Sequence, residues 1–148
     1  MPRTYLDMDG VLARFEQAPN ALERFAVEPG FFAGLEPTRF ALELADVLAV
    51  AQEVPFYILT ASPNEQADID KRAWVAEHLP QLADRVVIVR DGAEKAQYAQ
   101  GNYLVDDYTE NLKFWTAKGG KGIKAINTHN AKTGRHKKVT INTMLVDW

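Results

Sequence analysis

Tyr5-Leu6-Asp7-Met8-Asp9-Gly10-Val11-Leu12 is the stretch on which the reading of this chain turns. A short apolar lead of strand-forming residues runs into two carboxylates one residue apart, and Gly10 then lets the backbone leave sharply. Asp is a poor strand residue and costs free energy to bury unpaired, so two of them at a strand end call for a partner such as a cation. Taken alone, Asp-Gly reads as a solvated strand-end turn. A site is implied only if the rest of the chain brings partners.

Working outward, Arg3 to Leu6 reads as a first strand. Residues 11–35 mix Phe15, Leu22, Phe25, Phe31 and Phe32 with Pro19, Pro29, Gly30 and Gly34, which predicts a small lid or loop insertion with a short helix around Asn20 to Ala26. Thr38 is placed to cap a helix on which Phe40, Leu44, Val47, Leu48 and Ala51 recur at helical spacing, ending near Gln52. Val54 to Leu59 is a compact apolar strand that stops at Thr60-Ala61-Ser62-Pro63. A helix opening at Pro63 or Asn64 carries Ile69, Ala73, Trp74 and Leu79 on one side and ends at Pro80. Arg85 to Val89 reads as the third strand, and Asp91-Gly92 as a turn into a short helix, Ala93 to Ala99, bearing Lys95. Tyr103 to Val105 is a fourth strand running into Asp106-Asp107. Asn111 to Lys118, with Leu112, Phe114 and Trp115, is a helix closed by the glycines of 119–122. Ile123 to Asn127 is a fifth strand. The remainder, with a turn at Lys132-Thr133-Gly134 and apolar Val139, Ile141, Met144 and Leu145, reads as a terminal hairpin or a strand plus tail.

Strands alternating with helices predict an α/β layer fold with a mostly parallel sheet, in which ligands sit outside the carboxyl ends of the strands. The polar residues fall there: Asp7 and Asp9 after the first strand, Thr60 and Ser62 after the second, Lys95 after the third, Asp106 and Asp107 after the fourth. The 148 residues, 47% hydrophobic and 25% charged, suit one domain of ordinary globular composition. No apolar run approaches the ~20 residues of a membrane span, and the N-terminus lacks a signal-peptide layout, so the expected location is cytoplasmic. With no cysteine, disulfides, thiol catalysis and thiolate metal sites are excluded, which leaves carboxylates as the metal ligands. The net charge of -3 hides a split: nine Lys and Arg face nineteen Asp and Glu through Glu110, and eight face one from Asn111 onward. Such a basic segment can attract phosphate on a small molecule or a nucleic acid, although a solvated lysine surface is the commoner finding. His78, His129 and His136 are isolated and read as structural or surface residues. Gly119 to Gly122 lacks the Lys-Ser/Thr of a P-loop and is a connection.

Carboxylates converging with a lysine and a hydroxyl describe a Mg²⁺-assisted phosphoryl-transfer site. Asp7 and Asp106 can hold the ion while substrate phosphate completes its shell. Mg²⁺ and Lys95 would neutralise the phosphoryl charge and Thr60 would donate to it. An ionised Asp7 can attack phosphorus, and Asp9 can protonate the leaving oxygen and then deprotonate the hydrolytic water.

These residues carry a resemblance. Asp7-Met8-Asp9-Gly10-Val11-Leu12, Ile58-Leu59-Thr60, Lys95 and Leu104-Val105-Asp106-Asp107 resemble the four ordered motifs of the haloacid dehalogenase (HAD) superfamily. Within it the chain is similar to the 5'(3')-deoxyribonucleotidases, through Phe15, Pro29-Gly30-Phe31-Phe32, Leu35-Glu36-Pro37, Thr60 to Pro63, Lys71 to Val75, Val89-Arg90-Asp91 and His129-Asn130. The resemblance implies a three-layer Rossmann-like HAD core, residues 1–12 and 36–148, with a small helical or loop cap of about 13–35 inserted after the first strand. It also implies Asp7 as nucleophile, Asp9 as general acid/base with its backbone carbonyl on Mg²⁺, Asp106 as metal ligand, Asp107 as support of the metal shell, and Thr60 and Lys95 as phosphate binders. A base pocket would use Phe15 and Phe31 or Phe32. The family usually reads Thr-Ser-Pro where Ala61 here separates Thr60 from Ser62, so either hydroxyl is a phosphate donor. Its Arg-Asp-Lys run is opened here between Arg90 and Lys95, which gives Arg90 a share of that role, and the cap segment is shorter than usual. The expected activity is hydrolysis of (deoxy)ribonucleoside monophosphates through an aspartyl-phosphate. A phosphatase of nucleic-acid ends or of another small phosphate ester, and a non-catalytic nucleotide-binding protein, are the alternatives.

Overall fold

A computed structural model describes residues 1–134 and 142–147; His136, Val139 and Ile141 lie outside the described residues. In chain order the elements are β1 (Thr4–Leu6), α1 (Ala21–Arg24), α2 (Arg39–Val50), β2 (Phe56–Ala61), α3 (Glu65–His78), β3 (Val86–Val89), a 3-10 segment (Gly92–Tyr98), β4 (Tyr103–Asp106), α4 (Thr109–Ala117), β5 (Lys121–Ile126), α5 (Thr128–Thr133) and β6 (Asn142–Leu145). The strands form one sheet in the order β3-β2-β1-β4-β5-β6, and each neighbouring pair is parallel. Period-2 alternation divides the sheet between two cores. Leu6, aligned with Ile58 and Val105, faces α2 and α3 together with Leu44, Leu48, Trp74 and Val75. Tyr5 and Leu104 face the other way, with Leu59, Val89, Leu112 and Trp115. Three layers result, as expected.

Strand order sets the position of the site. From β1 the chain builds outward through β2 and β3, then returns to place β4 on the other side of β1. The connections therefore diverge at the carboxyl ends of β1 and β4, which is where an open α/β sheet forms its crevice. Asp7 follows β1, and Asp106 ends β4.

The segment after β1 leaves and returns through a bridge between Ala13 and Pro37. Thr38 closes this stem: its N–H donates to the Leu12 carbonyl at 2.8 Å, and its hydroxyl donates to the Val11 carbonyl at 2.7 Å while accepting the Ala41 N–H as the N-cap of α2. Helix α3 fastens the rest of the segment. Asn64 donates to the Ala26 carbonyl at 3.0 Å, Asp70 accepts the Gly30 N–H at 2.8 Å, and the Trp74 indole donates to the Leu35 carbonyl at 2.8 Å.

Three expectations are corrected. On α3 the buried face is Ala67, Asp70, Lys71, Trp74 and Val75, whereas Ile69 is 62% exposed and Ala73 also faces water. Two ionisable residues occupy the inward stripe, which hides its helical period. On α2 the inward residues are Ala41, Leu44 and Leu48, leaving Val47 on the solvent side. Of the two readings of the terminal segment, the hairpin is overturned and the strand stands: β6 pairs parallel with β5. Gly134, at φ 71°, is the left-handed C-cap of α5, not a strand-joining turn. Among the described residues no helix is long and apolar enough to cross a membrane.

Candidate active site

Four strand ends supply the site. Asp7 is tied to the sheet edge by its N–H, which donates to the Val105 carbonyl at 2.9 Å. Its carboxylate, with those of Asp106 and Asp107, forms a cluster whose ligand oxygens lie within 4.8 Å of one another. Asp7 and Asp106 are buried and Asp107 is half-buried. Lys95 reaches in from the 3-10 segment, where it is buried, and donates to Asp7 Oδ1 and Asp106 Oδ2, both at 2.9 Å. That segment is held at its start by reciprocal bonds of Asp91 and Glu94, the capping-box pattern.

Support comes from behind. The Tyr108 N–H donates to Asp106 Oδ1 at 2.9 Å and the Asn111 amide to Oδ2 at 3.1 Å. The Asn127 amide donates to the Gly10 carbonyl at 2.9 Å and to Asp107 Oδ2 at 3.4 Å. Gly10 has φ 82°, and a Cβ there would collide with the Asp107 carboxylate, so only glycine permits the approach.

A second buried lysine, not singled out as a site residue by the sequence reading, completes the other half. Lys71 of α3 donates to Thr60 Oγ1 at 2.7 Å, to the Ala61 carbonyl at 2.7 Å and to Asp9 Oδ2 at 2.9 Å. Its ammonium lies 4.5 Å from the centre of the Phe32 ring. The Asp9 carboxylate thus turns to Lys71 and stays outside the three-carboxylate cluster. Its Oδ1 is buried, with no hydrogen-bond donor among the described residues. A helical-wheel position shared with Ala67, Trp74 and Val75 was the signal that marks Lys71 as inward.

Thr60 and Ser62 have different surroundings. Thr60 is buried in β2 on Lys71. Ser62, also buried, lacks a well-formed hydrogen bond for its hydroxyl and sits toward Asp68, whose carboxyl is held below its usual range by Arg90 and, less, by Ser62. Arg90 grips Asp68 with two bonds of 2.9 and 2.8 Å and donates to the Ser62 carbonyl at 3.3 Å, which staples the loop after β2. The aromatic residues form one cluster, with Phe15 within 6.0 Å of the rings of Phe25, Phe31 and Phe32. Phe31 and Phe32 are both buried and their rings diverge, Phe32 toward Lys71 and Phe31 beneath Arg24. Phe15 is half-buried. A cavity of about 400 Å³, lined by Phe25, Pro29, Phe32, Asn64 and Gln66, adjoins the Lys71 side through Phe32. His129 lies 3.9 Å from Glu16, and His78 packs on Trp74.

The electrostatics bear on what the cluster can hold. Burial and then Asp106 push Asp7 up to about 7, despite Lys95. Burial, with Asp7 and Asp106 beside it, raises Asp107 well above the usual carboxylate range. Burial opposes the Lys95 charge, but Asp106 and Asp7 outweigh it and its pKa is raised. Three crowded carboxyls against one lysine are over-supplied with negative charge. A hard divalent cation, which takes oxygen ligands, fits this donor set.

Comparison with known proteins gives the family and the fold. Residues 8–142 match the family model described as "5' nucleotidase, deoxy (Pyrimidine), cytosolic type C protein". The chain is similar to the "Putative 5'(3')-deoxyribonucleotidase" of Vibrio phage KVP40, at 32% identity covering 74% of this chain and 68% of that protein. It is also similar to the human "5'(3')-deoxyribonucleotidase, cytosolic type", at 28% identity covering 71% of this chain and 70% of that one. Among solved structures, D,D-heptose 1,7-bisphosphate phosphatase from Burkholderia thailandensis aligns with a TM-score of 0.58 at 14% identity, over 99% of this chain and 92% of its own. A HAD family hydrolase from Deinococcus radiodurans R1, with bound phosphate and sodium, aligns with a TM-score of 0.59 at 12% identity, over 100% and 91%. At those identities the shared property is the fold.

Proposed function

The chain belongs to the 5'-nucleotidase, deoxy (pyrimidine), cytosolic type C family, and from that premise we propose that it is a Mg²⁺-dependent phosphomonoesterase that hydrolyses (deoxy)ribonucleoside monophosphates through an aspartyl-phosphate on Asp7. Membership in a family of HAD-type nucleotidases makes it an enzyme and sets aside the non-catalytic reading.

The observation that carries the proposal is the division of labour between the two carboxylates of the opening stretch. Lys95 fixes one oxygen of Asp7, and the other is the attacking atom. Its attack on phosphorus forms the acyl-phosphate bond as the ester P–O bond breaks. Asp9 delivers a proton to the departing oxygen, then accepts one from the water that cleaves the acyl-phosphate and releases inorganic phosphate. Lys71 holds Asp9 by Oδ2 and leaves the buried Oδ1 for this exchange. Lys71 and Thr60 lie together, placed to donate to phosphoryl oxygens, and Lys95 adds positive charge. Bound by Asp7, Asp106 and Asp107, with the Asp9 carbonyl, Mg²⁺ would offset the charge of the phosphate and of the carboxylates. Ser62 serves the loop that carries Thr60 more directly than it serves the phosphate.

Residues 13–35 act as the cap in this reading. Phe15 is its half-buried ring and stacks on the base, with the buried Phe31 and Phe32 packed behind it. The same reading places the enzyme in the cytoplasm, the compartment named for the human relative.

Phosphate release from a panel of nucleoside monophosphates, with Mg²⁺ or with chelator, tests it. We expect Mg²⁺-dependent turnover that Asp7→Asn abolishes. Full activity in that variant would overturn the nucleophile assignment, and absence of turnover on every nucleotide would overturn the substrate class.

A further inference from the structure

Lys124 is, among the described residues, a third fully buried lysine beside Lys71 and Lys95, and it has no part in the proposed reaction. It lies on β5 directly beside Asp106 of β4 in the sheet register. Paired residues of neighbouring strands project to the same face, so Lys124 shares the α4 side with Asp106. Its ammonium donates to the backbone carbonyl of Asp107 at 2.5 Å and to Thr109 Oγ1 at 2.9 Å.

This is an expensive place for a lysine. Taking an ammonium out of water costs several kcal/mol. The first turn of α4 adds a further penalty, because a helix presents its positive pole at the N-terminus, and Tyr108 at the cap position makes no side-chain capping bond. The negative cluster nevertheless lies one strand away, with Asp106 beside Lys124 in the register. The two groups Lys124 grips bracket the turn between β4 and α4. That turn carries Asp107 and the Tyr108 N–H that orients Asp106. Asn127 donates to the Asp107 carboxylate, so Asp107 is held at its backbone carbonyl by Lys124 and at its side chain by Asn127.

We infer that Lys124 is a positioning residue for the metal centre: by holding the Asp107 carbonyl and the Thr109 hydroxyl it aims Asp106 and Asp107 at the cation, and its charge offsets the repulsion of the three carboxylates. This rests on the metal-dependent reading above. Groups that orient metal ligands typically contribute 10–100-fold to metal affinity.

Titration calorimetry with MgCl₂, in the absence of nucleotide, reads the effect directly. Lys124→Met keeps the volume and removes both the donor and the charge. We expect its Mg²⁺ affinity to fall at least about tenfold, with kcat returning to near the native value at saturating Mg²⁺. Lys124→Arg, which keeps the charge, should recover part of the affinity. Thr109→Val removes one partner while leaving the lysine in place, and should weaken Mg²⁺ in the same direction by less; it keeps the test open should Lys124→Met fail to fold. Native-like Mg²⁺ affinity in both Lys124→Met and Thr109→Val would overturn the inference while leaving the metal reading intact. If the native protein bound no Mg²⁺, or if Asp106→Asn bound it with native affinity, both would fall.

Discussion

Asp7 is held in place at a cost to the fold. Buried beside Asp106, it holds its proton up to about pH 7, whereas in the unfolded chain it loses it near 3.9. Between those values the folded state binds more protons than the unfolded state, so stability falls as pH rises. The stabilisation is complete below the unfolded value and lost as pH climbs through the folded one. Metal-free protein is therefore expected to have a lower Tm at pH 8 than at pH 5.5, and Mg²⁺ to raise Tm more at pH 8. Asp7→Asn, which removes the ionisation, should raise the metal-free Tm at pH 8 and flatten the pH dependence. Thermal scans at the two pH values with and without Mg²⁺ check this, and an unchanged profile in the variant would show that Asp7 is not the group responsible. The raised Lys95 pKa has no part in this window, since its contribution is lost only above the ordinary lysine range.

At the scale of the element, α3 is the part that sequence periodicity misread. Its inward stripe carries Asp70 and Lys71 among Ala67, Trp74 and Val75, because the helix has two polar duties there: Asp70 fastens the segment after β1 at Gly30, and Lys71 joins Thr60 to Asp9. A hydrophobic-pattern search assigns such residues to the solvent face and promotes Ile69 in their stead. The sites where local rules fail are the ones that serve function. Replacing Lys71 by Met would fill the same space without a charge to desolvate, and Asp9, which keeps some exposure, can regain water. We therefore expect Lys71→Met to keep or slightly raise the Tm while lowering kcat/KM about 100-fold or more. Calorimetry beside steady-state kinetics checks both halves, and native kinetics would remove Lys71 from the site.

Over the whole molecule, closure depends on the far end of the chain. Asp147, buried next to β6, accepts from Arg14 at 2.8 Å, from the Arg39 N–H at 3.4 Å and from Gln17 at 3.3 Å, while the Val146 backbone bonds both Ile126 and Phe40. Val146 and Asp147, just after β6, thus tie residues 14–17 and the start of α2 to the sheet. Arg14 is a third exposed, which tempers the ion pair, so Asp147→Ala should cost about 1–3 kcal/mol of global stability. Urea unfolding measures that loss. Hydrogen exchange should quicken around residues 14–17 and 36–39, and uniform quickening without emphasis there would argue against a local tie.

The alternation of strand and helix, the positions of the strand ends, and the residues Asp7, Asp9, Thr60, Lys95, Asp106 and Asp107 clustered at one sheet edge were legible in the chain itself. They rest on local physics: side-chain period, turn chemistry at Asp9-Gly10 and Asp91-Gly92, and the rule that parallel strands present their carboxyl ends together. The tertiary structure alone decided the rest. It turned Asp9 away from Asp7 toward Lys71, separated the surroundings of Thr60 and Ser62, sent Phe31 and Phe32 in opposite directions, buried Lys124 beneath the Asp107 turn, and made β6 a parallel strand. Each of these outcomes depends on which groups from distant segments exclude water from one another, and a charge leaves water only where such partners meet it.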